Sequence, residues 1–418
     1  MRGSAGIVAA LLIGVSGLTS ACGQEKSTRA VIEVDAPAAL ADRPVHLTVS
    51  GLAAGDEITV AATAADHRRS RWRGQATFRA DDRGRVDLNR ARPASGTYSA
   101  IDGMGLFWSM RPPAGDPEEV AFEPPFPSKR PSYSVQITVT AHGRELAQRT
   151  LTRQWLSPGV TRRVLSMSED EVSGELFLPP PGTRRRPAVL LIGGSEGGNL
   201  GQYDAALLAS HGYPALALAY FGAPGLPAAL RDIPLEYFER ALRLLADQPG
   251  ADPERMVVRG YSRGSEAALL LGQHYPRLVK GVIVYAPSSD VFPGFPDRGN
   301  AWTHKTRPVP QRSIPLDRVD GPVLAIAGTD DRLWDSEFSA RQIMIALDQS
   351  RDRFPHQALV YPGAGHGVGT IPYLAQGTRL RNPATGAVLA LGGTRPADAA
   401  ARAQGWPKTL AFLTGLQR

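Results

Sequence analysis

From residue 30 to about 152 the apolar residues come in short alternating runs: VIEV at 31–34, VHLTV at 45–49, EITVAAT at 57–63, ATFRA at 76–80 and YSVQITVT at 133–140. Gly51, Gly55, Asp81, Asp82, Gly84 and Gly143 separate them with turn chemistry. Alternation with a period of two turns every second side chain to one face, so each run reads as a half-buried strand. Short strands at this spacing, with no helical periodicity between them, predict an antiparallel sandwich over 30–152, of the size of an immunoglobulin-like domain. No catalytic cluster falls in this stretch. Its expected role is to pack against a second domain or to line the entrance to it.

A proline- and arginine-rich segment, 153–186, follows and puts a boundary near residue 155. The second domain is expected over 156–418, with TRRVLSM and VSGELFLP at its edge. Beyond Pro187 the pattern changes. AVLLIGG (188–194) is continuously apolar, as suits a strand buried on both faces of a parallel sheet. Helical spacing appears at 203–211, 235–246, 267–274, 338–347 and 400–413; apolar strands appear at 215–220, 256–260, 282–287, 322–328 and 358–363. Strands alternating with helices predict a mostly parallel α/β sheet with right-handed crossovers, of the α/β-hydrolase kind.

Gly260-Tyr261-Ser262-Arg263-Gly264 is a G-x-S-x-G, with the strand MVVR before it and the helical SEAALLLGQHY after it. That context is what a nucleophile elbow requires: Gly260 and Gly264 permit the tight turn, and the serine hydroxyl projects at the carboxyl end of the sheet. The backbone N–H of Arg263 then sits at a helix start, where it can stabilise an oxyanion. A serine needs a base. In this fold the acid and then the histidine follow the serine. His366, in the glycine-rich loop after the last strand, is placed to serve. His356 precedes that strand, and His304 lies in a proline-bounded polar stretch. The acid is expected after PVLAIAG, where Asp330 and Asp331 are adjacent; Asp331 fits the loop geometry better, and Asp330 would brace the loop. A second oxyanion donor is expected from the backbone of Ser195 or Glu196, in the loop GGSEGG at 193–198.

The charge balance is 47 basic against 40 acidic residues, or +7 over 418. Only five basic residues are lysine, and the arginines are scattered, which argues against a nucleic-acid binder and its concentrated basic face. The single cysteine, Cys22, excludes an intramolecular disulfide and a cysteine-based metal site. Met1 and Arg2 precede fourteen uncharged residues, 5–18. That run is shorter than the roughly 20 residues a membrane span needs and fits a signal h-region over 1–22. The small residues before Cys22 resemble a bacterial lipoprotein processing box. Export follows as an expectation, with Cys22 either lipidated and holding the protein at the outer face of the cell membrane or incidental beside an ordinary cleaved signal.

Several segments together resemble the family of acyl-CoA thioesterases and bile acid-CoA:amino acid N-acyltransferases. They are VDLNRA, GTY and DGMGLFWSM within 86–110, then EGGNLGQYDAALLASHGYPALALAYF, LEYFERAL, GYSRGSEAAL, GTDDRLWDSEF and YPGAGH. The resemblance runs from about residue 30 to 416. It implies an immunoglobulin-like front domain, an α/β-hydrolase back domain, and triad roles for Ser262, Asp331 and His366. It also implies a small-molecule acyl thioester substrate and no metal or organic cofactor. Transferases of that family carry cysteine at the nucleophile position, so the serine here points to water as the acyl acceptor. A general carboxylesterase, transfer to an amine or alcohol, and a silent acyl-binding surface lipoprotein are the competing expectations. Arg184, Arg185 and Arg186 are candidates to meet the phosphates of coenzyme A.

Overall fold

The computed structural model describes residues 30–350, 353–369 and 371–417. The expected signal segment and Cys22 lie outside the described residues. No helix among the described residues is long and apolar enough to cross a membrane.

The alternation read in the front half becomes two packed sheets. Six strands run in the order Ala38–Leu40, Arg144–Gln154, Ser132–Ala141, Glu57–Ala65, Arg71–Arg79 and Ser95–Gly96; a second sheet joins Val31–Val34, Leu47–Ser50 and Val86–Asp87. Pairing is antiparallel except where Ala38–Leu40 runs beside Thr152–Gln154. The strand Arg71–Arg79 shows why. Trp72, Ala76 and Phe78 are buried while Arg71, Arg73, Gln75 and Arg79 face outward or sideways. Ile32, Leu47, Val49 and Val86 of the small sheet share one core with Ile58, Val60, Phe78, Val135 and Ile137 of the large one. The burial of apolar area in that shared core is the main favourable term holding the two sheets together.

The back half is built on eight strands: β1 (Thr161–Leu165), β2 (Ser173–Leu178), β3 (Arg186–Ile192), β4 (Ala215–Ala219), β5 (Ala251–Tyr261), β6 (Val279–Tyr285), β7 (Val323–Gly328) and β8 (Gln357–Tyr361). Their spatial order is β1-β2-β4-β3-β5-β6-β7-β8. β1 and β2 pair antiparallel at one edge, and the strands from β4 to β8 are parallel. The sheet is therefore mixed, with the two strand-like pieces of 161–178 at its edge. Strands β4 and β7 are buried along their whole length, in keeping with their uniformly apolar sequence. Five helices flank the sheet: α1 (Gln202–Ser210), α2 (Leu235–Ala246), α3 (Arg263–His274), α4 (Ser336–Ser350) and α5 (Arg395–Gly415). α5 starts five residues earlier than the periodicity suggests, because Thr394 caps it through Ala397 N–H and Pro396 suits a first turn.

Several contacts join the halves. Trp155 is fully buried, stacks on Tyr133 and lies 4.6 Å from the Tyr203 ring of α1. Asp42 accepts hydrogen bonds from His211 Nε2 (2.6 Å) and Trp406 Nε1 (2.7 Å), so one buried carboxylate ties the front half to two helices of the back half. A hairpin of Arg379–Arg381 and Val388–Ala390, inserted between β8 and α5, also reaches forward: Thr378 Oγ1 donates to Glu118, and Arg379 donates to Asp116.

Candidate active site

The carboxyl end of β5 turns into α3 at Ser262, whose φ of 55° and ψ of −125° lie outside the regions a serine ordinarily adopts. The turn is held by close packing on both sides. A Cβ on Gly260 would stand 2.2 Å from Gly264 O, and one on Gly264 would stand 2.3 Å from Gly193 O. Neither site tolerates a side chain, so the glycines set how closely α3, β5 and the loop after β3 approach.

The elements bring three side chains, far apart in the chain, into one line at this rim. His366, one residue past the glycine loop that follows β8, places Nε2 2.8 Å from Ser262 Oγ. Its Nδ1 lies 2.8 Å from Asp331 Oδ2. The other Asp331 oxygen accepts Leu333 N–H at 3.0 Å, which fixes the carboxylate's orientation. Asp330 points elsewhere, accepting Gly393 N–H at 3.1 Å and pairing with Arg332. Of the two adjacent carboxylates, Asp331 alone meets the imidazole.

His366 is 1% exposed and is gripped from several directions. Its N–H donates to Leu391 O (2.8 Å), and the Trp334 ring meets it edge-on at 4.8 Å. Asp398 accepts the N–H of the preceding residue, Gly365, at 2.7 Å. Burial pushes the Asp398 carboxyl up to about 6, against the Gly365 N–H and the Arg402 guanidinium, which favour its charged form.

The other histidines stay apart from this rim. His356 accepts Val323 N–H through Nδ1 at the amino end of β7. His304 stacks on His274 with ring centroids 4.2 Å apart. The arginine run 184–186 also lies at the far end: Arg186 opens β3, packs over Tyr213 and donates to His211 O. The sheet thus separates these arginines from Ser262.

Arg263, at the first position of α3, carries a backbone N–H with no partner within the helix, adjacent to Ser262. Its side chain does a different task, bonding Pro293 O and Phe292 O and pairing with Glu266. Glu266 is fully buried and also accepts Trp302 Nε1 at 2.8 Å. Burial pushes its carboxyl up to about 7, while Arg263 and Trp302 act in the opposite sense. The residue after the serine therefore anchors the segment between β6 and β7 over the site.

Tyr220, which sequence reading leaves as the end of a strand, orients the loop after β3. Its Oη lies 3.0 Å from Gly193 O and 2.6 Å from Gly194 O. In a trans peptide the N–H points opposite to the C=O, so the amides of Gly194 and Ser195 are turned away from Tyr220. Asn382, from the inserted hairpin, holds Ser195 O at 3.2 Å. Glu196 places its carboxyl back over the loop, Oε1 accepting Gly194 N–H at 2.8 Å. In the sequence nothing separates Tyr220 from any other aromatic residue that closes an apolar strand. Tyr220→Phe is expected to lower kcat about 10- to 100-fold with KM and melting temperature little changed, because loop amides lose their orientation. Steady-state kinetics beside a thermal melt measure this; an unchanged kcat would remove Tyr220 from the machinery.

Residues 42–167 match the acyl-CoA thioester hydrolase/BAAT N-terminal region, and residues 233–296 and 295–416 match the BAAT/acyl-CoA thioester hydrolase C terminal. The chain is 30% identical over 400 residues to acyl-coenzyme A thioesterase 6 of Mus musculus, covering 89% of this chain and 93% of that one. It is 30% identical over 400 residues to acyl-coenzyme A amino acid N-acyltransferase 1 of Mus musculus, covering 90% and 95%. Among solved structures it is similar to a Mycobacterium tuberculosis puromycin-hydrolyzing peptidase, with 16% identity, a TM-score of 0.45, and coverage of 93% of this chain and 68% of that one.

Proposed function

The chain belongs to the acyl-CoA thioester hydrolase/BAAT family and is an enzyme, a hydrolase; from that premise we propose that it cleaves acyl thioesters of the acyl-CoA type through an acyl-serine at Ser262. The observation that supports this reading is the line Asp331–His366–Ser262, with both of its contacts at 2.8 Å.

In this reading Ser262 Oγ attacks the thioester carbonyl carbon while His366 Nε2 takes its proton. Asp331 holds the tautomer in which Nδ1 carries the proton and stabilises the imidazolium that forms. The carbonyl oxygen becomes an oxyanion, met by the amide of Arg263 and by amides of the 193–198 loop. Collapse breaks the C–S bond, and the thiolate leaves with the proton from His366. Water then attacks the acyl-serine, passing its proton to His366, and the free acid departs as Ser262 recovers its hydrogen.

The front half is, in the same reading, an immunoglobulin-like sandwich backing the catalytic half, and residues 1–22 are an export signal whose Cys22 becomes a lipidated N-terminus at the cell surface. The processing-box pattern before Cys22 is the support for export.

The test is a hydrolysis panel of acyl-CoA thioesters against aryl esters of matched chain length, with and without an amine acceptor. A kcat/KM preference for the CoA thioester of about tenfold or more, with free acid as product, is expected. Equal rates on aryl esters would make the protein a general esterase. Conjugates forming in place of free acid would make it a transferase.

A further inference from the structure

We infer that the Glu196 carboxylate is a resident occupant of the amide cradle beside Ser262, displaced when an acyl carbonyl oxygen enters the site. The inference deepens the serine reading and rests on it.

The geometry begins with Tyr220, which pins two carbonyls of the loop and so turns the following amides away from itself. Gly194 N–H, thus turned, meets Glu196 Oε1 at 2.8 Å. The backbone N–H of Glu196 also favours the charged form of that carboxyl. A loop amide beside the elbow is therefore already engaged by an oxygen-bearing group, where an oxyanion would want it free.

That group stands beside the nucleophile. A Cβ built on Gly194 would lie 2.7 Å from Glu196 Oε2 and 3.2 Å from Ser262 Oγ, so carboxylate and hydroxyl flank the same small volume. An acyl carbonyl bonded to Ser262 Oγ brings its oxygen to this neighbourhood. A carboxylate and an oxyanion so close repel strongly in a site shielded from water. One of them must leave, and the side chain is the one able to.

Its route is open. Glu196 is only partly buried, its side chain turns on three single bonds, and it is followed by Gly197 and Gly198 at φ of 72° and 65°. Burial pushes the carboxyl up, while the two amides and His366 favour its charged form. The amides thus hold a group that solvent would also accept.

The test uses the full chain and a straight-chain alkyl trifluoromethyl ketone. Ser262 Oγ adds to its carbonyl carbon, the proton passes to His366 Nε2, and the carbonyl electron pair becomes an oxyanion. Inhibition constants are compared for the parent, Glu196→Gln and Glu196→Asp. Glutamine keeps an acceptor for Gly194 N–H but a weaker, neutral one; aspartate keeps the charge but is one methylene short of the amide. Both variants are expected to bind the ketone at least about fivefold more tightly, at unchanged melting temperature. An inhibition constant unchanged or raised in either variant overturns the inference. Labelling of Ser262 by a fluorophosphonate in the parent keeps that failure separate from failure of the serine reading: without labelling the reading itself falls, and this inference with it.

Discussion

Ser262→Ala is expected to lower kcat for acyl-CoA hydrolysis by about 10⁴- to 10⁶-fold and to abolish fluorophosphonate labelling, with the melting temperature nearly unchanged. The size follows from the mechanism. In the proposed mechanism the hydroxyl is the one group of the line that bonds the acyl carbon, and His366 and Asp331 act through it. With the hydroxyl removed, the amides can still polarise a carbonyl, but water must attack directly, without the acyl-enzyme that splits the reaction in two. The fold has little reason to change, since alanine retains the Cβ that packs against Gly194 and loses a single hydrogen bond to His366. A variant retaining a tenth of the parental rate would show that the elbow does not carry the nucleophile.

Asp331→Asn is expected to cost about 10⁴-fold in kcat with KM within a few-fold of the parent. An amide at this position can turn its NH₂ toward His366 Nδ1, which favours the tautomer with the proton on Nε2. That nitrogen then cannot accept the proton of Ser262. Asp330→Asn is the matched control. Its side chain pairs with the exposed Arg332 and holds Gly393 N–H, away from the imidazole, so its kcat is expected within about threefold of the parent. Kinetics of the two variants side by side decide the matter, and a larger loss in the Asp330 variant would reverse the assignment.

Much of the architecture was legible because its signals are local and repeated. Trp72, Ala76 and Phe78 alternate with arginines and glutamine, and a period of two has one physical meaning. The uniformly apolar 215–219 and 323–328 can be buried only from both sides. The site was legible to the extent that chain order constrains it: Ser262, Asp331 and His366 each follow a strand of one parallel sheet, and the carboxyl ends of parallel strands share a rim.

What was not legible depends on how a loop folds back. The choice of Asp331 over Asp330 was an exception, legible from loop geometry; Leu333 N–H on the one and Gly393 N–H on the other mark the turn that separates them. Tyr220 looks like any aromatic residue closing a strand, and its task appears only once β4 lies beside β3. The sequence points to the Glu196 backbone and says nothing of its side chain, which curls back to Gly194 N–H only once the loop is folded. The arginines at 184–186 suggest phosphate binding by composition, yet they lead into β3 and fall at the opposite end of the sheet. The inserted hairpin carried no pattern strong enough to announce two three-residue strands.

That hairpin has a consequence for how the protein can be divided. The stretch between His366 and α5 supplies Leu391 O to the backbone of His366 and Asn382 to the 193–198 loop, while Thr378 and Arg379 are moored to Glu118 and Asp116. The candidate site and the front half are thus stitched by the same thread. A chain trimmed to its back half would keep Ser262, Asp331, His366 and the hairpin itself but lose Glu118 and Asp116, the posts to which that hairpin is tied.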